Sequence, residues 1–313
     1  MKKKALIGVV TAIIALLFMG IYIGTFISTR TPSYIPILGV CLHLYQYDND
    51  TINQLEQLNS SWVRIDWIPN KMDYIIPTLK ENKIKILAIL DHNTMNFAEP
   101  PNPNFTLSEW ATTLNEITST NVSKQVDAWE IWNEPNVEQF YLGHMNGTPQ
   151  NYFEMLKVAH EIINRNSPDS LIIAAGLSPD EKLNWPEWLT VFSSLSPQPY
   201  FDYQGVHLYN DAKANLNIIK QTMQIMKVGD VWVTEIGKPS APVDEGFSAE
   251  NQASYLISNF QMLTYNVRCP VFWYQLKDET GASLEKENHF GLFDSLNNPK
   301  ASFDAFIEFT YQK

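Results

Sequence analysis

Residues 127–136 read DAWEIWNEPN. Glu130 and Glu134 stand four positions apart, which puts them on one face of a helix or, equally, on one face of a strand. The stretch alone does not choose between the two. Its neighbours do, because strands and helices must pack into one consistent set of layers.

Seven other stretches share its apolar, β-rich character, making eight strand candidates in all. They are ILGVCLHL (37–44), SWVRIDW (61–67), IKILAIL (84–90), AWEIWNE (128–134), LIIAAGL (171–177), YQGVHLY (203–209), VWVTEI (231–236) and VFWYQL (271–276). Runs this continuously apolar suit parallel strands covered by helices. Helical patterns fill the gaps. KMDYIIPTLKEN and LSEWATTLNEITS follow the second and third runs. YFEMLKVAHEIINRN follows the fourth, behind Thr148–Pro149, an N-cap with proline in the first turn. ASYLISNFQMLTYN precedes the last run, and PKASFDAFIEF closes the chain behind Asn298, read as a second N-cap before proline. Eight strands alternating with eight helices predict an α/β fold, a (β/α)8 TIM barrel. The competing reading is an open doubly wound sheet. It would want a glycine-rich turn after its first strand, and CLHLYQYDND has no glycine.

In a barrel the chemistry sits at the C-terminal ends of the strands. The polar residues there are His43, Arg64 and Asp66, Asp91 and His92, Asn133 and Glu134, His207 and Tyr209, Glu235, and Trp273 with Gln275. Two carboxylates stand out, Glu134 ending the fourth strand and Glu235 ending the seventh. A closed barrel brings both to one mouth. A carboxylate pair flanking a bond is what glycoside hydrolysis requires: one protonates the leaving oxygen, the other attacks the anomeric carbon or activates water. The members must titrate differently. Arg64 is placed to keep one charged, and Trp129 and Trp132 suggest an apolar setting for the acid beside them. Glu130, sharing the facing of Glu134, reads as a buried structural group. Arg64 reads as a site residue, with a structural ion pair to Asp66 or Glu130 as the alternative. His43 and His92 suit either sugar hydroxyls or structural hydrogen bonds. Trp67, Tyr45 and Tyr47 suit either packing or stacking on further sugar units. His160 lies in an amphipathic helix and reads as structural.

These residues carry a resemblance. WEIWNEPN resembles the acid/base signature of clan A glycoside hydrolases, with Asn133 and Glu134 matching its Asn-Glu pair. VWVTEIGKP resembles the clan's nucleophile strand at Glu235, HLYN its strand-six His-x-Tyr at His207 and Tyr209, VRIDW its strand-two arginine at Arg64, and FWYQLKD its strand-eight tryptophan at Trp273. FGLFDSLNNPKASFDAF resembles the clan's closing turn and helix. The likeness covers residues 37–311 and is nearest to families 39 and 5. It implies retention of configuration through a glycosyl-enzyme intermediate. Glu134 would serve as acid and then base, and Glu235 as nucleophile. Asn133 would bind the sugar 2-hydroxyl, Tyr209 and Arg64 would hold Glu235, and His207 would join that network. Trp273 would form the floor under the reacting sugar. A transglycosylase would use the same residues, and a membrane-tethered carbohydrate-binding barrel is a further alternative, although both glutamates are present.

Composition narrows the rest. The chain of 313 residues is 45% hydrophobic and 18% charged, with a net charge of −12, enough apolar material for a large core. An acidic chain without a basic stripe argues against nucleic acid. The expected partner is a carbohydrate, with no cofactor. A first-strand H-x-H pair and an HExxH motif are both missing, so no metal is expected. Cys41 and Cys269 allow either one disulfide or two buried thiols. Lys2–Lys4 precede ALIGVVTAIIALLFMGIYIGTFIS, residues 5–28, an uncharged run long enough for a bilayer, which needs about 20 apolar residues. Residues 1–28 therefore read as a membrane anchor with a cytoplasmic N-terminus, or as a cleaved signal segment. Residues 29–36 read as a linker and 37–313 as the catalytic domain outside the membrane. Sequons at Asn49, Asn59, Asn104, Asn121 and Asn146 fit export weakly.

Overall fold

The apolar runs form eight short parallel strands: β1 Leu38–Leu42, β2 Trp62–Asp66, β3 Lys85–Leu90, β4 Ala128–Ile131, β5 Leu171–Ala174, β6 Tyr203–Leu208, β7 Val231–Ile236 and β8 Val271–Trp273. They pair in sequence order and close on themselves, β8 returning to β1. The computed structural model describes residues 37–95, 106–140, 147–241, 248–279 and 286–311. Residues 1–28, read from sequence as an anchor or signal segment, and 29–36, read as a linker, lie outside these residues. Among the described residues, no helix is long and apolar enough to cross a membrane.

Each strand is followed by at least one helix. These are α1 Thr51–Gln57, α2 Met72–Glu81, the short α3 His92–Met95, α4 Leu107–Thr118, α5 Pro149–Asn166, α6 Trp185–Ser194, α7 Ala212–Met226, α8 Ala249–Asn266 and α9 Ala301–Thr310. Thr148 caps α5 as expected, its hydroxyl accepting from the backbone N–H of Asn151, with Pro149 in the first turn. Asn298 does not cap α9. The residue before a proline favours extended backbone, and Pro299 bridges to Phe293 outside the helix, so α9 starts only after Lys300. The Asn298 side chain instead donates to Asp294 at 2.9 Å.

Side chains alternate across each strand. The inward set at the bottom of the barrel is aromatic. Trp62 meets Trp232 edge-on at 5.2 Å and Phe272 at 6.2 Å, and Tyr203 packs on Trp232 at 5.8 Å. Gly39 makes room for this plug: a Cβ there would stand 2.8 Å from the Phe272 ring and 2.8 Å from the Trp62 carbonyl. Each such ring contributes about 1.5–3 kcal/mol by leaving water. The outward set packs under the helices. Trp129 lies 5.0 Å from Trp67, and Trp132 lies 5.8 Å from Trp110 of α4, all four fully or almost fully buried. Cys41 and Cys269 are both buried and free, so the second of the two cysteine readings holds.

One irregularity bears on the site. The β6–β7 register shifts between Val206 and His207, so that Val206 pairs with Val233 but His207 pairs with Glu235. A second shift lies between β7 and β8, between Val233 and Ile236. A bulge of this kind re-aims the side chain that follows it. Trp232 joins the aromatic plug inside the barrel, and strict alternation would turn Glu235 to the other face; here it reaches the Arg64 and Tyr209 side chains.

Candidate active site

Charged residues collect just above the aromatic plug, where the strands end. Arg64 of β2 is their hub. Its Nε donates to Glu130 at 2.5 Å, its Nη1 to Glu235 at 2.8 Å and its Nη2 to Asn133 at 3.1 Å. Arg64 and Glu130 are 5% and 0% exposed, so neither charge is left to water. An unpaired buried charge is costly, and each of these is paired and hydrogen-bonded. Burial opposes the charge on Arg64, but Glu130 and Glu235 outweigh it and hold the guanidinium firmly protonated. Arg64 thus makes the structural pair with Glu130 and also reaches Glu235 and Asn133.

Glu235 is enclosed from three sides. Arg64 binds Oε1, the Tyr209 hydroxyl donates to Oε2, and His207 Nδ1 stands 3.4 Å from Oε2. Burial would raise its pKa, but His207, Arg64 and the Tyr209 hydrogen bond prevail and lower it from 4.5. Burial and the neighbouring Glu235 push the Tyr209 phenol well above its ordinary value, so it remains a donor.

Glu134 is held differently. β4 ends at Ile131, and Glu134 sits on the loop beyond, its N–H donating to the Gly176 carbonyl at 3.2 Å. Trp132 and Glu134 take left-handed backbone, with φ of 72° and 40°. For residues with a Cβ this costs on the order of 1–3 kcal/mol each, and it occurs where the surroundings over-determine a functional geometry. The Glu134 side chain shares a 2.9 Å hydrogen bond with Nδ1 of His207. Nε2 of His207 has no partner among the described residues and lies against Gly176, where a Cβ would come within 2.5 Å of it. A neutral ring therefore carries its proton on Nδ1 and donates it toward the carboxylates. One oxygen from Glu134, one from Glu235 and one His207 nitrogen lie within 4.8 Å of one another. Such a trio would suit a divalent cation in principle, but here each member already has partners within the protein.

These groups open into a cavity of about 880 Å³ whose lining includes His43, Asp66, Asp91 and Tyr274. His43 bridges two of its walls, with Nδ1 2.9 Å from Asp66 and Nε2 3.0 Å from the Tyr274 hydroxyl. Burial opposes the charge on His43 and on Asp66, yet their mutual attraction prevails, raising the first from 6.5 and lowering the second from 3.8. Burial pushes Asp91 up to about 6, and its carboxylate receives the N–H groups of Asn93 and Thr94 at the start of α3. His92 lines the same wall, its ring 5.3 Å from Phe140.

Several expectations need correction. Trp273 is fully buried, packs on Tyr255 and Phe260 of α8, and donates its indole N–H to the Phe290 carbonyl. It belongs to the barrel–helix layer and offers no floor to a sugar. The aromatic facing the cavity is its neighbour Tyr274, which the sequence reading passed over. The alternation held the signal: Phe272 points into the barrel, so Tyr274 does too and Trp273 cannot. Trp129 and Trp132 likewise pack outward on Trp67 and Trp110 and leave His207 as the close neighbour of Glu134. Trp67 is core. Tyr47 turns edge-on to Tyr74 at 6.3 Å, and Tyr45 is exposed beside His43. Also missed was Gly176, whose missing side chain seats His207.

The sequence matches the family model described as glycosyl hydrolase catalytic core over residues 102–290. No curated protein sequence matches the chain. Among solved structures, it is similar to a family 39 glycoside hydrolase from Bacteroides cellulosilyticus WH2, with a TM-score of 0.67 and 20% identity. That alignment covers 88% of this chain and 64% of the other, so the chain spans less than two thirds of that enzyme's length. A GH5_18 protein from Streptomyces cattleya, solved with GlcNAc, aligns with a TM-score of 0.68 and 16% identity over 90% of this chain and 82% of its own. A monomeric beta-xylosidase from Caulobacter crescentus CB15 aligns with a TM-score of 0.68 and 15% identity over 89% and 68%. At these identities the structural likeness is one of fold.

Proposed function

The chain belongs to the glycosyl hydrolase catalytic core family, and from that premise we propose that it is a clan A glycoside hydrolase that cleaves β-glycosidic bonds with retention of configuration. The observation that carries the proposal is the closeness of Glu134 and Glu235: one oxygen of each lies within 4.8 Å of the other, which supports the closer of the two spacings that glycoside hydrolases use. Retaining enzymes hold their two carboxyl groups about 5–5.5 Å apart, whereas inverting ones leave about 6.5–9.5 Å for a water.

The two carboxylates are held by different partners, and we assign them different roles on that ground. Glu235, tied to Arg64, Tyr209 and His207, stays ionised and is the nucleophile. It attacks the anomeric carbon as Glu134 gives its proton to the leaving oxygen. Glu134 then takes a proton from the water that releases the sugar from Glu235. Asn133, fixed by Arg64, faces the cavity and hydrogen-bonds the sugar 2-hydroxyl. His207 spans both glutamates and keeps them at working distance. His92 lines the cavity and is the histidine proposed to meet a sugar hydroxyl, while His43, both of its ring nitrogens taken by Asp66 and Tyr274, lines the cavity beside the sugar. The carbohydrate class and linkage follow from the loops at 91–106, 138–148 and 277–290. We further propose that residues 5–28 tether the domain to the outer face of a membrane; a mature N-terminus found near Thr29 would overturn that.

The deciding experiment replaces the nucleophile. Glu235→Gln removes the attacking charge while keeping shape, and turnover of β-linked aryl glycosides is expected to fall by about 10³-fold or more. Wild-type turnover by a folded Glu235→Gln protein would overturn the assignment.

A further inference from the structure

Thr234 stands directly before Glu235 on β7, in a strand whose other residues are apolar. It is fully buried and does not line the cavity. Its hydroxyl has no partner among the described residues, and neither has Nε2 of His207, which is equally buried. A buried polar group without a hydrogen bond is unfavourable, and valine would fill the same volume without that cost. The two orphaned atoms are neighbours. Nε2 and the hydroxyl lie 2.5 Å and 2.9 Å from the one point where a Cβ on Gly176 would stand. Gly205 leaves room on the same hydroxyl, since a Cβ there would come within 3.2 Å of it.

His207 is thus met on both nitrogens. Toward Nδ1 stand Glu134 and Glu235, with Arg64 bound to Glu235 and Tyr209 edge-on to the ring at 6.4 Å. Toward Nε2 stands the Thr234 hydroxyl. Burial opposes a charge on His207, but Glu235 and Glu134 overcome it against the repulsion of Arg64 and lift its pKa above the ordinary 6.5. In the proposed reaction Glu134 gives up its proton and takes one back in each turnover, so the hydrogen bond at Nδ1 is remade each time. A neutral ring offers Nε2 as an acceptor, and a protonated ring offers it as a donor. A hydroxyl answers either by turning about its C–O bond, whereas a carbonyl or a backbone N–H answers only one. We propose that Thr234 is a positioning residue for His207: its hydroxyl serves Nε2 as donor or acceptor, directly or through one buried water, and keeps Nδ1 aimed at the two glutamates while Glu134 loses and regains its proton. This deepens the proposed function and rests on the role given there to Glu134.

The test compares the full chain with Thr234→Val, which keeps the shape and removes the hydroxyl, and with Thr234→Ser, which restores it. The protonation midpoint of His207 is read by NMR titration of protein labelled with 15N in its histidine rings, the resonance being the one that His207→Asn removes. In Thr234→Val the protonated ring loses its acceptor at Nε2, so the midpoint is expected to fall by about one pH unit or more. Thr234→Ser should recover most of that fall. On a β-glycoside that the wild type turns over, kcat of Thr234→Val is expected to drop about five- to tenfold with KM held within about twofold. An unmoved midpoint, an unmoved kcat, or a serine variant that titrates like the valine one would each overturn the proposal. Should Thr234→Val not fold, Thr234→Ala is held to the same outcomes. The titration needs no substrate, so it is separate from failure of the catalytic reading, which shows as hydrolysis that survives Glu235→Gln.

Discussion

Nη1 of Arg64 lies 2.8 Å from Oε1 of Glu235, while the other edge of the same guanidinium donates to the fully buried Glu130. One cation thus holds together a structural carboxylate and the proposed nucleophile. Arg64→Met keeps the volume and removes the charge, leaving two glutamates without their shared partner. The loss in stability is expected to be about 3–5 kcal/mol, measured by urea unfolding at pH 7. A loss below 1 kcal/mol would mean that the pair is not held as described.

Glu134→Ala separates the two halves of catalysis. An activated leaving group, such as dinitrophenolate, departs with little help from a proton, whereas a natural sugar needs it. The variant is expected to lose about 10²–10⁴-fold on natural oligosaccharides and much less in the first step on dinitrophenyl glycosides. Equal losses on both substrates would count against the acid role.

The His43–Asp66 pair gives a pH signature. The folded-state pKa of His43 is raised above 6.5, so its contribution is full below that value and fades as pH climbs through the raised pKa. Asp66 is lowered below 3.8, so its contribution is full above that value and fades as pH drops through the lowered pKa. Their mutual stabilisation therefore occupies a window from about pH 4 to above pH 6.5. The stability gap between wild type and His43→Asn is expected to be widest near pH 5.5 and to narrow at pH 8.5 and pH 3. A gap that stays constant across these pH values would exclude the ion pair.

Much of the site is legible in the sequence alone. Asn133, Glu134, His207, Tyr209, Glu235 and Arg64 all meet at the mouth because each lies at or just beyond a strand end, and strand ends are where a barrel collects its polar side chains. Glu130 was separable from Glu134 for the same reason: a group deeper in the strand needs a buried partner and finds Arg64. The errors fell on facing. Trp273 has the right residue type for a sugar floor, yet it lies on the outward side of β8, and Tyr274 faces in. Asn298 and Pro299 look like a helix start, yet Pro299 is used in a bridge and α9 begins later.

The sequence by itself determined the barrel, because eight nearly continuous apolar runs separated by amphipathic helices can bury their faces in few other ways. It also determined that Glu134 and Glu235 reach the mouth together. Tertiary structure alone decided how they are aimed. The register shift turning Glu235 toward Arg64, the left-handed turn presenting Glu134, and the space beside Gly176 that admits His207 depend on contacts between residues far apart in the chain. Local periodicity records which strand a residue belongs to. It does not record a bulge, whose geometry is set by the strands on either side.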